Sequence, residues 1–210
     1  MRLVLLVEGP TEKAVAAFLK RWLDARVDPK IGIQTSKPAG GGCRLVDDMP
    51  KKANLYLSDP KASDLIGVVG LLDLYGLAHS PGLTSVAERL DWWTGEIEKR
   101  VNHPRFRVFF AVHEIEAWLL SEPAIFPRDV RTELPKEIKD PERVDFEEPP
   151  AKLLQRVYRK VTGREYKKVT QGTELFRKLD PDVACAKCPQ LRKMLNHILE
   201  DAVRAGCTKL

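Results

Sequence analysis

The chain of 210 residues is 43% hydrophobic, which is enough for one sizeable core with a small additional lobe. Lys and Arg outnumber Asp and Glu by 35 to 30, for a net charge of +5, so the composition permits nucleic-acid binding without requiring it. The sequence shows no signal peptide and no apolar stretch of about 18 residues, so we expect a soluble, cytoplasmic protein with no membrane segment.

The first 121 residues alternate apolar strand patterns with amphipathic helix patterns. The strand patterns are RLVLLVE, KIGIQTS, DLIGVVGLLD and RFRVFFAV. The helix patterns between them are TEKAVAAFLKRWLDARV, LVDDMPKKANLYLSD and LTSVAERLDWWTGEIEKRV. Because parallel neighbours require crossover helices, this alternation predicts an α/β fold with a mainly parallel sheet of about four strands.

A proline- and charge-rich passage from residue 122 to residue 150 predicts a boundary after this α/β part. Beyond the passage, AKLLQRVYRKVTG and CPQLRKMLNHILEDAVRAG have the apolar spacing of helices. We therefore expect an α/β domain at 1–121 and a helical C-terminal extension at 122–210 that packs on it.

Acidic side chains follow the best predicted strands, at the point where each strand ends. Glu8 ends the first strand, Asp73 ends the strand DLIGVVGLLD, and Glu114 and Glu116 follow RFRVFFAV. Ligands of open parallel sheets bind beyond the carboxyl ends of the strands, so these acids are expected to meet there. Converging carboxylates repel one another unless a hard divalent cation neutralises them, which makes Mg²⁺ or Mn²⁺ the leading hypothesis.

Each acid taken alone also has a structural explanation. Glu8 could interact with the dipole of the following helix, and Asp73 could cap the turn DLYG. Glu114 and Glu116 could form a solvated first helical turn. Acids at the ends of all these strands are less easily explained by chance than any single one, so the joint metal site is favoured.

Three sequence blocks resemble the motifs of TOPRIM domains, the fold named for topoisomerases and primases. The blocks are VLLVEGPTEKAVAAFL, GLLDLYGLAHSPG and HEIEAWLLSE. In order and spacing they are most similar to the bacterial group called domain of unknown function 4276. The later segments PPAKLLQRVYRKVTG and CPQLRKML also resemble that group. The resemblance implies a TOPRIM-like, Rossmann-like sheet flanked by helices, with a helical C-terminal lobe.

The resemblance also implies roles for individual residues. Glu8 matches the glutamate of the TOPRIM first strand, a metal ligand or general acid/base, and Asp73 matches the first aspartate of the D-x-D motif. Tyr75 stands in place of the second aspartate, which departs from the ordinary ligand set. Glu114 and Glu116 match the later acidic ligands of nucleases with the overcoming-lysogenization-defect name. Catalysis and metal binding are thus expected at Glu8, Asp73, Glu114 and Glu116.

Further side chains near these motifs are accessory candidates. Glu12 lies about one helical turn after Glu8 and is either an additional ligand, a capping-box partner or a surface acid. His113 either orients a phosphate or is a structural histidine. Tyr75 is expected to form hydrogen bonds or to pack, and not to bind the metal.

A dense set of basic residues lies between Lys152 and Lys178, with tyrosines and a phenylalanine interleaved. Such a patch is a candidate grip on the phosphate backbone, and the alternative is a solvated helical face. The members that we expect to bind nucleic acid are Lys152, Arg156, Arg159, Lys160, Lys167 and Lys168.

Two other features of the sequence are weak evidence of a functional site. Cys185 and Cys188 have the spacing of a zinc knuckle, but only the distant Cys43, Cys207 or His197 could complete four ligands. The favoured alternative is that the pair places two small apolar side chains on one face of a helix. The glycine run in KPAGGGCR could bend over a phosphate, although most such runs are connectors.

Two functions remain in view from the sequence. The first is a metal-dependent nuclease or nuclease subunit that acts on DNA or RNA. The resemblance adds a nearby ABC-type or SMC-like ATPase as partner and a role in phage defence, and the sequence has no G-x-x-x-x-G-K-S/T motif of its own. The second is a TOPRIM-like module that binds a metal or a nucleotide without cutting and serves regulation or assembly.

Overall fold

The computed structural model describes residues 1–9, 12–38, 43–75, 77, 82–135, 138–143 and 148–210, with the backbone alone at positions 12, 13 and 43. The strands are β1 (Arg2–Val7), β2 (Val27–Asp28), β3 (Gly32–Ser36), β4 (Leu65–Asp73), β5 (Phe106–Ala111) and β6 (Thr208–Lys209). The helices are α1 (Glu12–Asp24), α2 (Cys43–Leu57), α3 (Val86–Val101), α4 (Glu116–Leu119), α5 (Arg128–Glu133), α6 (Pro150–Thr162), α7 (Thr173–Lys178), α8 (Pro181–Lys187) and α9 (Pro189–Arg204). A 3₁₀ turn covers Pro123–Ile125, and a π-helical turn covers Lys168–Gly172.

The central sheet is parallel, with the strand order β3-β1-β4-β5. Its register places Val7 beside Leu71 and Asp73 beside Ala111, so β1, β4 and β5 end at the same edge. The chain passes from β1 to β3 on one side and then to β4 on the other, so the strand order reverses between β1 and β4. The predicted fold, a mainly parallel sheet flanked by helices, is confirmed.

Helices cover both faces of the sheet because successive strand residues point to opposite sides. In β1, Leu3 and Leu5 belong to one hydrophobic cluster, whereas Val4 and Leu6 belong to a second cluster. The second cluster is completed by α2 and α3. The first is completed by α1 together with helices from the C-terminal half of the chain.

The C-terminal helices share their core with the α/β part. Phe18 of α1 stacks on Trp118 of α4 with ring centroids 6.5 Å apart, and it meets Phe176 of α7 edge-on at 5.9 Å. Helix α9 lies against β5 and β4. This packing agrees with an extension that lies on the sheet, while the division at residues 121 and 122 stays a prediction.

A short antiparallel ribbon was missed by the sequence analysis. Val27 and Asp28 of β2 pair with Lys209 and Thr208 of β6. Two residues a side are too few to show a strand period, so the pattern carried no signal. Separately, none of the described helices is both long enough and apolar enough to cross a lipid bilayer.

Candidate metal centre

The predicted acids lie at the carboxyl edge of the sheet. Glu8 directly follows β1, Asp73 is the last residue of β4, and Glu114 and Glu116 come shortly after β5. This edge is also where the strand order reverses, between β1 and β4. A reversal of this kind opens a crevice outside the strand ends, where open α/β sheets bind their ligands.

The turn after β5 is fastened to the end of β4 by backbone hydrogen bonds. His113 has a left-handed backbone with φ of 65°, which turns the chain sharply after the strand. The N–H of Tyr75 donates to the carbonyl of His113 at 3.0 Å, and the N–H of Ile115 donates to Asp73 Oδ1 at 3.1 Å. Asp73 is thereby oriented by the same turn that carries Glu114.

The two glutamates after β5 are joined by one lysine of the C-terminal half. Lys168 Nζ lies 3.1 Å from Glu114 Oε1 and 3.1 Å from Glu116 Oε2. The other oxygen of Glu114, Oε2, accepts the N–H of Ala151 at the start of α6 at 3.0 Å. Both glutamates are therefore held by residues that lie more than 30 positions later in the chain.

Burial and neighbouring charges shift the pKa values of Glu116 and Lys168. Glu116 is 0% exposed, and burial raises the pKa of its carboxyl group although the Lys168 ammonium opposes the shift. Burial alone would lower the pKa of Lys168, but the carboxylates of Glu116, Glu114 and Asp73 raise it above its ordinary value. Lys168 therefore carries its positive charge at neutral pH.

Two buried oxygens near this cluster lack a hydrogen-bond partner among the described residues. They are Glu116 Oε1 and the hydroxyl of Tyr166, which is two residues before Lys168. Burial, followed by the charge of Glu116, raises the pKa of the Tyr166 phenol. A buried oxygen without a partner is costly, so Glu116 Oε1 needs a partner that the described residues do not supply.

The donor set fits a hard divalent cation in its chemistry but is not gathered around one point. Asp73, Glu114 and Glu116 all interact with the ammonium of Lys168 and raise its pKa. Within the described ranges, however, no three Asp, Glu, His or Cys side chains stand close enough to hold a metal ion as they are. Lys168 stands among the acids that the sequence analysis proposed as ligands.

The sequence of the chain matches a described protein family. The sequence profile described as "Domain of unknown function (DUF4276)" matches residues 7–199, which is most of the chain. The chain belongs to the DUF4276 family. Membership confirms the resemblance found in the three motif blocks. Among curated proteins, none matches the chain.

Two solved structures are similar to this DUF4276 chain. The C-terminal region of the Burkholderia pseudomallei OLD protein gives a TM-score of 0.51 and 16% sequence identity, over 96% of this chain and 98% of that chain. The C-terminal region of the Xanthomonas campestris pv. campestris OLD protein gives a TM-score of 0.46 and 18% identity, over 97% of this chain and 95% of that chain. At such identities the first likeness shows the fold, which is TOPRIM-like.

The accessory candidates have separate surroundings. The Tyr75 side chain is 54% exposed beside the carboxyl edge. His113 Nε2 donates to the carbonyl of Arg143 at 3.0 Å. The side chain of Glu12 lies outside the described residues, as do Gly76 of the turn DLYG and positions 39–42, which contain the whole glycine run.

The predicted nucleic-acid patch has exposed cations on α6, but several of them pair with acids. Arg156 Nε donates to Glu148 at 2.7 Å, Lys160 Nζ lies 2.6 Å from Glu133 Oε2, and Arg159 pairs with Glu165. Lys152 and Lys167 are exposed. The interleaved aromatics Tyr158, Tyr166 and Phe176 are buried, so they pack in the core and are not available to stack on bases.

The cysteine pair lies at the junction of α8 and α9. Cys188 is buried in the core, and burial raises the pKa of its thiol as well as that of the partly buried Cys185. Cys207 is also buried, and its Sγ lies 3.3 Å from the carbonyl of Pro29. Neither Cys188 nor Cys185 belongs to a described group of three potential metal ligands.

Sequence reasoning assigned Lys168 to the nucleic-acid patch and missed its bond to Glu114 and Glu116. It also missed Tyr166 as a buried neighbour of the site. A contact across 52 or 54 positions leaves no local pattern, and the basic neighbours of Lys168 concealed it within a charged run. The excess of acids over cations at the strand ends was the one signal that a counter-ion was missing.

Proposed function

We propose that the chain is a nuclease or a nuclease subunit that cleaves phosphodiester bonds of DNA or RNA with a bound Mg²⁺ or Mn²⁺. The observation that carries the proposal is the position of the strand-end acids at the reversal of strand order, where Asp73, Glu114 and Glu116 all interact with the ammonium of Lys168. Membership of a TOPRIM-like family supports the same conclusion.

Glu8, Asp73, Glu114 and Glu116 would hold the metal, and Glu116 Oε1 is the donor that has no other partner among the described residues. A divalent cation bound there supplies an activated water and neutralises charge on the phosphate and the leaving oxygen. The protein contributes rigidity. Asp73 is oriented by the N–H of Ile115, and the sheet fixes the spacing of the strand ends.

The substrate would lie across the carboxyl edge and along α6. Phosphates of either nucleic acid can be contacted by the exposed Lys152 and Lys167, and by Arg156, Arg159 and Lys160 after exchange of their present acidic partners. Contacts of this kind to phosphates would hold the backbone without sequence preference.

We further propose that the nuclease acts with an ATPase of ABC or SMC-like type in phage defence. The support is the family resemblance of the motif blocks. The sequence itself contains no phosphate-binding G-x-x-x-x-G-K-S/T motif, so ATP-dependent cleavage requires an ATPase outside these 210 residues.

A regulatory or assembly module that binds a metal or a nucleotide without cutting is the second candidate. Two observations favour it: Tyr75 stands where TOPRIM enzymes have a second aspartate, and Lys168 occupies two of the proposed ligands. The two functions differ in whether phosphodiester bonds are broken.

Cleavage assays on plasmid DNA, single-stranded DNA and RNA with Mg²⁺ or Mn²⁺ separate the candidates. The assays are run both with and without an ATPase partner. We expect cleavage by the wild type in at least one of these conditions, and its loss by about two orders of magnitude or more in Asp73→Asn and Glu8→Gln. Asp91→Asn, an exposed aspartate on α3, is the matched control and should cleave normally. Metal binding without cleavage of any substrate, with or without the partner, would favour the non-cutting module.

A further inference from the structure

We propose that the ammonium of Lys168 and a divalent cation compete for Glu114 and Glu116, so that cation binding detaches the π-helical turn Lys168–Gly172 from the site. The inference rests on the proposed metal-dependent function and concerns its regulation. It identifies Lys168 as the resident counter-ion of the metal-free protein.

Lys168 places its ammonium group where a cation is needed to neutralise the two glutamates. Its Nζ stands 3.1 Å from one oxygen of each glutamate, so a single positive charge bridges two acids. Glu116 is fully buried, and an unpaired charge there would be costly. The ammonium therefore supplies positive charge beside this buried carboxyl group when no metal is present.

The same bridge opposes the use of both acids as ligands of one metal ion. Glu114 accepts a hydrogen bond from Lys168 at Oε1 and one from the N–H of Ala151 at Oε2, so each of its oxygens already has a partner. Glu116 uses Oε2 for Lys168 and keeps Oε1 without a described partner. A divalent cation that enters at Glu116 Oε1 meets the positive charge of Lys168 at close range, and like charges in a poorly solvated site repel strongly. The two cations therefore compete for these glutamates.

Lys168 can leave without unfolding its surroundings. Its side chain is 36% exposed, so the ammonium has a path to solvent. It is the first residue of the π-helical turn, a geometry that is weakly stabilised and frequent at functional sites. Val169, the next residue, is 57% exposed and adds little packing.

The other hydrogen bonds found within this turn are local to it. The N–H of Lys167 donates to Gln171 Oε1 at 3.0 Å, and the hydroxyl of Thr173 donates to the carbonyl of Val169 at 2.7 Å. In the described structure, Lys168 is thus the member of the turn whose side chain bonds to the strand-end acids. Once released, the ammonium is free to meet a backbone phosphate, so metal loading would prepare the site for substrate.

The test is calorimetric titration of Mn²⁺ into the full chain, for wild type, Lys168→Met and Lys193→Met. Removing the competitor should tighten Mn²⁺ binding by about tenfold or more in Lys168→Met, since displacing a charge-assisted pair no longer opposes binding. Lys193→Met removes an exposed ammonium on α9, outside the site and the proposed nucleic-acid surface, and should leave the affinity unchanged. Equal or weaker Mn²⁺ binding by Lys168→Met would overturn the proposal.

A second measurement needs the wild type alone and so does not depend on how well the variant folds. Amide hydrogen exchange at 167–172 should quicken on addition of Mn²⁺ as the Lys168 anchor is released. Exchange that stays unchanged at saturating Mn²⁺ would contradict the release while leaving the nuclease proposal intact. Absence of Mn²⁺ binding in both wild type and Lys168→Met would contradict the metal-dependent function itself, and the competition with it.

Discussion

At the scale of single residues, buried carboxylates determine how this protein responds to pH. Glu142 accepts three N–H groups, from Trp118 Nε1 at 3.2 Å and from the backbones of Gln190 and Leu191 at 2.7 and 3.2 Å. It thereby fastens the loop at 138–143 to the start of α9 and to α4, which carries Glu116. Burial nevertheless raises the pKa of Glu142 above its ordinary value, and nearby Asp140 adds to the shift.

This raised pKa predicts a pH-dependent stability. Because folded Glu142 holds its proton more strongly than the unfolded chain does, its contribution to the free energy of unfolding falls as pH rises from about 4.5 through the folded pKa. Glu142→Gln cannot titrate and lacks this fall, so its stability relative to the wild type should improve across that window. Urea denaturation at a series of pH values measures the difference.

The control for the loss of one acid is Glu200→Gln, an exposed glutamate on α9. A difference between Glu142→Gln and wild type that stays constant over the pH series, or that moves in favour of the wild type as pH rises, would show that burial does not dominate at Glu142. The pair of measurements isolates the buried carboxylate from the general effect of removing a negative charge.

At the scale of elements, α6 carries both core packing and the proposed nucleic-acid surface. Its buried face contains Leu153, Leu154 and Val157, and its exposed face carries the cations of the patch. The pairing of Arg156, Arg159 and Lys160 with acids means that phosphates must compete with carboxylates for these side chains. Such exposed pairs are weak and are readily exchanged.

Charge reversal at Arg156, Arg159 and Lys160 should therefore weaken binding to DNA of any sequence to a similar degree. It should also flatten the dependence of affinity on salt, by up to about 0.9 in the logarithmic slope for each duplex phosphate that is no longer neutralised. Fluorescence anisotropy of labelled duplexes at several salt concentrations measures both effects.

The matched control reverses three cations on α2, on the opposite face of the sheet: Arg44, Lys51 and Lys52. This variant has the same net charge and should keep most of the affinity. If both triple variants lose affinity and salt slope equally, binding follows net charge and α6 is not a specific surface.

At the scale of the whole molecule, the fold was largely predictable because the sequence patterns of its strands and helices are local. Continuous apolar runs marked β1, β4 and β5 as buried parallel strands, and the amphipathic spacing marked α1 and α3. The placement of Glu8 and Asp73 at one edge followed from the parallel topology that these signals imply.

The features that the sequence analysis did not predict depend on contacts between distant parts of the chain. The bridge from Lys168 to Glu114 and Glu116, the burial of Tyr166, and the β2–β6 ribbon each join segments with no shared periodicity. Aromatic residues are interleaved with the cations in the sequence, yet Tyr158 and Tyr166 are buried in the core. Charge and composition locate a segment, but tertiary packing decides which of its side chains reach the site.

Anomalous diffraction from crystals of the chain soaked in Mn²⁺ is the most direct test of the central claim, that strand-end acids form a divalent-metal centre. We expect a peak at the carboxyl ends of β1 and β4, with oxygens of Asp73 and of at least two among Glu8, Glu114 and Glu116 at about 2.1 Å. We also expect that Lys168 has left both glutamates. A saturated soak with no peak at this edge, or with the ion bound by other residues, would contradict the claim.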